Sequence, residues 1–225
     1  MYRLASHRYR LIFSTLACAL CAGVGYATPT LSIPDATYVN ETNLITFADP
    51  DEALIPSITD GILTVAFSSV TSLMRASTVG DDWGSWGSPP NTESSTPRVL
   101  WSGLDDNFNP VTAVTFQLSA PVKILGFEAE PGPTDVRTLV ATFFMGSTVE
   151  QTISLDVSGN AGAVLFAAQA DPGTFFDSVT LTSDVDWAAG QFRYQLDTVP
   201  EPRSYALLLA GMAMLMTFKR IRGIR

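Results

Sequence analysis

The chain has 225 residues and a formal charge of −9, from 13 basic and 22 acidic side chains, with a single histidine. This length holds one ordinary domain with appendages, and 46% apolar residues suffice for a core, which excludes wholesale disorder. An acidic chain repels phosphate backbones, so nucleic acid is not expected as a partner. The charge is also segregated. Arg3, Arg8 and Arg10 open the chain, and Arg203, Lys219, Arg220, Arg222 and Arg225 close it, whereas residues 28–199 hold five bases against 21 acids.

Residues 1–27 have the pattern of a secretory signal peptide. The three arginines precede an apolar run from Leu11 to Ala22, and Gly25-Tyr26-Ala27 places small residues before a cut after Ala27. The competing readings are an uncleaved anchor, for which the run is short, and a lipoprotein cut before Cys18, for which Thr15 replaces a branched aliphatic residue. Cleavage after Ala27 removes His7, Cys18 and Cys21, leaving no cysteine or histidine in the remainder. Disulfides, thiolate or imidazole zinc sites and histidine-dependent triads are thereby excluded from it.

Residues 28–199 show no helical period and many short runs of period two, the signature of an all-β chain. In chain order the expected strands are Ile62–Phe67, Val114–Leu118, Val122–Phe127, Val136–Phe144, Val149–Val157, Ala163–Ala168, Val179–Leu181 and Phe192–Leu196. Ile62–Phe67, Val122–Phe127, Val136–Phe144 and Ala163–Ala168 read as apolar on both faces. In Val149–Val157 the residues Val149, Ile153, Leu155 and Val157 share the buried side. Turn segments such as Ala120-Pro121, Pro131-Gly132-Pro133 and Asp171-Pro172-Gly173 separate the strands. Short strands at this spacing predict a jelly-roll-like β-sandwich.

The longest stretch without strand pattern, residues 80–97, carries Trp83 and Trp86 beside Asp81 and Asp82. Indoles can stack on the apolar face of a sugar while carboxylates accept its hydroxyls, which makes these four residues a candidate carbohydrate site. The alternative is that the indoles pin the loop onto the sandwich. Trp101 and Trp187 lie in or beside strand-like segments and are expected in the core. Among the acidic clusters, Asp49, Asp51 and Glu52, and Asp184 with Asp186, have spacings that could present oxygens to calcium, the one cofactor these residues suggest; none matches a helix-loop-helix calcium loop. The competing role for such acids is a solvated surface. A carboxylate-dependent glycoside hydrolase would use the same residue types.

The C-terminal part, residues 200–225, begins with Pro200-Glu201-Pro202 and continues as an uncharged apolar segment from Ser204 to Phe218, followed by a basic end. Fifteen residues form a helix shorter than the roughly 17–25 of a permanent membrane span, which suits a transient anchor, and the basic cluster holds that end in the cytoplasm. This arrangement closely resembles the PEP-CTERM sorting signal of Gram-negative bacteria. The resemblance implies recognition by an exosortase-type membrane enzyme, a transient inner-membrane anchor and delivery to the outer envelope or the extracellular polysaccharide matrix. Arg203 and the interruptions at Ile221, Gly223 and Ile224 depart from the usual pattern. The segments Val114–Glu128 and Phe176–Thr182 also resemble ectodomains that carry this signal, which implies a jelly-roll-like sandwich.

The expectation is thus an exported, non-enzymatic structural or adhesive component of an exopolysaccharide matrix. The alternatives are a carbohydrate-binding module using Trp83 and Trp86, and a glycoside hydrolase.

Overall fold

The computed structural model describes residues 30–197, apart from 32, 70, 72, 81 and 82. Residues 1–27, read from the sequence as a signal peptide, together with Asp81, Asp82, Pro200-Glu201-Pro202 and the apolar segment 204–218, lie outside the described residues. Among the described residues no helix is long and apolar enough to cross a membrane.

Alternating side chains and turn chemistry give an all-β sandwich, as the sequence predicts. The early strands are β1 (Thr30–Leu31), β2 (Asn43–Leu44), β3 (Leu54–Ile55), β4 (Ser57–Thr59), β5 (Thr64–Ser68), β6 (Met74–Thr78) and β7 (Arg98–Trp101). The later ones are β8 (Ala113–Pro131), β9 (Val136–Met145), β10 (Thr148–Ser158), β11 (Val164–Gln169), β12 (Phe176–Thr182) and β13 (Trp187–Leu196). A short helix, α1 (Ala36–Glu41), follows β1; its N-cap Asp35 accepts a 2.8 Å bond from the Tyr38 amide. Six residues are too few to show a helical period.

The architecture turns on β8. Its first arm lies between β12 and β5, giving one antiparallel layer in the order β10-β9-β12-β8-β5-β4. Its second arm lies between β11 and β13, giving the other layer, β1-β11-β8-β13-β7-β6-β3, with β2 beside the far end of β13. Phe116 and Phe127, one on each arm, have ring centroids 5.4 Å apart. Eleven residues of straight strand would span about 36 Å. The strand therefore folds over near Ser119–Pro121, and its two arms face each other across the core. Ala120-Pro121, expected to separate two strands, instead marks the bend within one.

The core is aromatic at its centre. Phe116 packs edge-on against Phe67, Phe127, Trp187 and Phe192, and Phe127 stacks on Phe166 and Phe192. Edge-to-face pairs of this kind add to the stabilisation from buried area.

Several strand expectations need correction. Val149 is 54% exposed, because a bulge between Val149 and Gln151 reverses the alternation ahead of Ile153. Ile62 is exposed and precedes β5, which alternates and buries one face. In β9 only Leu139, Ala141 and Phe143 are fully buried, so it too is one-sided.

The second arm of β8 is buried on both faces. Leu125, Phe127 and Ala129 enter the central core, whereas Ile124 packs outward with Tyr38, Leu165 and Ala167 beneath α1. A Cβ at Gly126 would collide with the Tyr38 phenol oxygen and lie 2.7 Å from the Ala167 Cβ, so the close approach of α1 requires glycine there. Next along this outward face come Glu128 and Glu130, and residues 83–97 cover them.

Candidate binding cleft

Glu128 and Glu130 alternate with core residues on a strand buried on both sides, so the pleat places both carboxyls beneath the 83–97 segment. Glu128 accepts from Trp86 Nε1 at 2.7 Å and from the Glu93 backbone N–H at 2.7 Å. Glu130 Oε1 accepts from Trp83 Nε1 at 2.9 Å, and the Ser85 hydroxyl lies 3.2 Å from the same oxygen and 3.0 Å from the Gly159 carbonyl oxygen. Burial pushes each carboxyl up to about 7, against the hydrogen bonds that favour the charged form. The second oxygen of Glu130 is buried without a hydrogen-bond partner.

Two further anchors fix the segment. Arg193 Nε lies 2.7 and 2.8 Å from the two carboxylate oxygens of Glu93, and its Nη1 donates to the carbonyls of Val39 and Thr42 at the end of α1. At the other side, the Ala163 amide donates to the Trp86 carbonyl at 2.8 Å, and a Cβ at Gly162 would meet the Gly87 nitrogen at 2.7 Å. Residues 83–97 are thus an integral wall of the sandwich.

The two indoles of this wall occupy different positions. Trp86 is 1% exposed and packs with Val79, Val99, Ala163 and Ala188, so it has no face to offer a sugar. Its assignment as a ligand-stacking residue is corrected: it pins the segment down. Trp83, also nearly buried, lines a cleft of about 480 Å³ together with Ser85, Trp101, Glu130, Asp186 and the turn Gly132–Thr134. Trp101 Nε1 donates to Asp186 Oδ2 at 2.8 Å. Trp101 was expected in the core beside Trp187. Trp187 is fully buried, but Trp101 is half-buried at the cleft, because β7 ends there and a loop begins. The Arg75 guanidinium carbon sits 5.3 Å from the Trp101 ring centroid, and Arg75 lines a second cleft of about 510 Å³ with Leu104, Asp105 and Asp106.

The acids read as calcium ligands do not gather. Asp51 Oδ1 accepts from Thr78 at 2.9 Å and pairs with Arg98 at 3.2 Å, while Glu52 pairs with Arg75. Asp49 engages Arg98 through its backbone carbonyl, and Asp184 pairs with Arg137 at 2.9 Å. Asp186 is bound to Trp101 in the cleft. Calcium needs six to eight oxygens, and among the described residues no three His, Cys, Asp or Glu side chains converge to hold a metal. Arginines already compensate most of the charge that was assigned to the ion.

Glu130 and Trp101 were missed as site residues. The available signal was Glu128-Ala129-Glu130 inside an otherwise apolar run, since acids on a two-sided buried strand must find donors.

No family model matches the chain, and no curated protein does. Among solved structures it is similar to the enzymatically active domain of bacteriophage CBA120 tailspike protein 4, at 17% identity and a TM-score of 0.32 over 60% of this chain and 19% of that one. The chain thus spans about a fifth of the tailspike domain's length. It is also similar to the carbohydrate-binding module TmCBM61, solved with β-1,4-galactotriose, at 16% identity and a TM-score of 0.27 over 55% of this chain and 88% of that one. At such superpositions neither likeness carries weight for function.

Proposed function

We propose that this protein is an exported β-sandwich that binds polysaccharide without turnover, at the cleft between Trp83 and Trp101, and that its C-terminal signal delivers it to the envelope or extracellular matrix. The supporting observation is the meeting of these two indoles with Glu130 and Asp186 in one cleft, on a wall held rigidly by buried hydrogen bonds. Half-buried aromatic surface beside fixed acceptors is what a pyranose ring needs: stacking for its C–H face, and acceptors for its hydroxyls. Trp101 carries the role first assigned to Trp86.

The test is calorimetric titration of the full chain, kept in mild detergent, against neutral and charged polysaccharides. Trp101→Ala should weaken binding by about tenfold or more, roughly 1.4 kcal/mol, with little change in Tm. Equal binding by that variant would overturn the reading. A glycoside hydrolase is the second reading, favoured by a carboxyl held near neutrality beside another carboxyl. It predicts shortened polymer after incubation and no shortening with Glu130→Gln.

Delivery is tested separately. Replacing Pro200-Glu201-Pro202 with alanines should trap the protein at the inner membrane. Export equal to the parent's would leave an ordinary anchor in place of a sorting signal.

A further inference from the structure

We propose that the cleft is selective for polysaccharides bearing protonated amines, such as partly or fully deacetylated hexosamine polymers, and rejects uronate or sulfated chains. The inference rests on the carbohydrate reading above and adds the charge class of the ligand.

Three observations carry it. Among the described residues the cleft is lined by Glu130 and Asp186 and by no basic side chain. Glu130 is 2% exposed, and its second oxygen has no hydrogen-bond partner, so the cleft wall holds an unused acceptor. Every basic residue of the described sandwich is already engaged. Arg75 pairs with Glu52, Arg98 with Asp51, Arg137 with Asp135 and Asp184, and Arg193 with Glu93, while Lys123 donates to the carbonyls of Asp171 and Thr174.

Among the described residues a polyanion therefore meets acids without a free cation to receive it. It would have to break an existing pair to gain one. An ammonium group instead meets a negative field focused by low-dielectric indole walls. Burial holds the Glu130 carboxyl near neutrality, so an approaching cation favours its ionised form and gains a charged partner. The Trp83 and Ser85 contacts fix Oε1, leaving Oε2 as the acceptor for the ligand. Asp186, oriented by Trp101, supplies the second charge at the rim.

The experiment compares three oligomers of equal length at neutral pH with the full chain in mild detergent: glucosamine hexamer, N-acetylglucosamine hexamer and hexagalacturonate. The glucosamine hexamer should bind at least about tenfold tighter than the acetylated one, and hexagalacturonate should not bind. Glu130→Gln should erase the preference while retaining binding of the acetylated oligomer; Asp186→Asn should reduce the preference if the first variant folds poorly. Trp101→Ala should weaken both hexosamine oligomers, which separates cleft binding from attraction of a polycation to an acidic surface. Equal affinities for the acetylated and free-amine oligomers would overturn the inference while leaving the carbohydrate reading intact. So would a preference that survives both acid substitutions, whereas amine binding indifferent to Trp101 would overturn the inference and the cleft reading together. Failure of every saccharide to bind would remove the carbohydrate reading, and this inference with it.

Discussion

The two faces of the second arm of β8 are built on opposite chemistries one residue apart. Inward, Leu125, Phe127 and Ala129 join an aromatic core held by packing, where even the buried Trp187 indole N–H has no hydrogen-bond partner. Outward, Glu128 and Glu130 are as deeply buried, yet almost every polar atom around them is paired with a named donor. The inner face holds the layers together through area, which is non-directional and tolerates exchange of similar shapes. The outer face fixes one arrangement of the 83–97 wall, because buried acceptors dictate where the indole N–H groups must be. The lesson is that the site depends on the less stabilising face.

The largest effect should come from breaking the inner face. Phe116→Ala removes the ring that touches four other aromatics, and should cost about 3–5 kcal/mol, read as a lower urea midpoint with an unchanged m-value. The outer face is next. Glu128→Ala leaves the Trp86 indole N–H and the Glu93 amide without their acceptor, at about 1–3 kcal/mol each, and should also weaken ligand binding by loosening the wall. If it proved neutral, the directional character of this face would be refuted.

A pH titration separates the two faces more finely. Glu128 and Glu130 titrate near 7 in the folded chain and near 4.5 when unfolded. Between these values the folded state keeps protons that the unfolded state releases, so stability falls as pH rises. Their contribution is fully present below about pH 4.5 and lost once pH passes about 7. Tm should drop by several degrees from pH 5 to pH 8, and the paired substitution Glu128→Gln with Glu130→Gln should flatten that slope. The smallest effect belongs to the exposed rim: Arg137→Gln breaks the solvent-facing pairs with Asp135 and Asp184 and should leave Tm unchanged within error.

Much of the inner face was legible in the sequence, because its information is periodic. Val114, Phe116 and Leu118 alternate into the core as their spacing predicts. What period could not reveal was that Pro121 bends a strand without ending it, since a proline interrupts the pattern in either case. Nor could it locate the bulge that exposes Val149, where a single extra residue reverses the pleat. The outer face was far less legible. The 80–97 loop and its two tryptophans stand out, but their division between a structural anchor and a cleft wall depends on partners 42 and 47 residues away. Trp101 looked like core because its strand neighbours are core; only the end of β7 at that residue opens it to the cleft.

The most direct measurement is to follow the four indole N–H signals of ¹⁵N-tryptophan-labelled full chain by NMR while titrating glucosamine hexamer. The Trp83 and Trp101 signals should shift and saturate together. The Trp86 and Trp187 signals should stay in place and remain the slowest to exchange with deuterium, as fully buried groups do. Movement of Trp86 first, or rapid exchange of its indole proton in the free protein, would contradict both the pinned wall and the cleft built upon it.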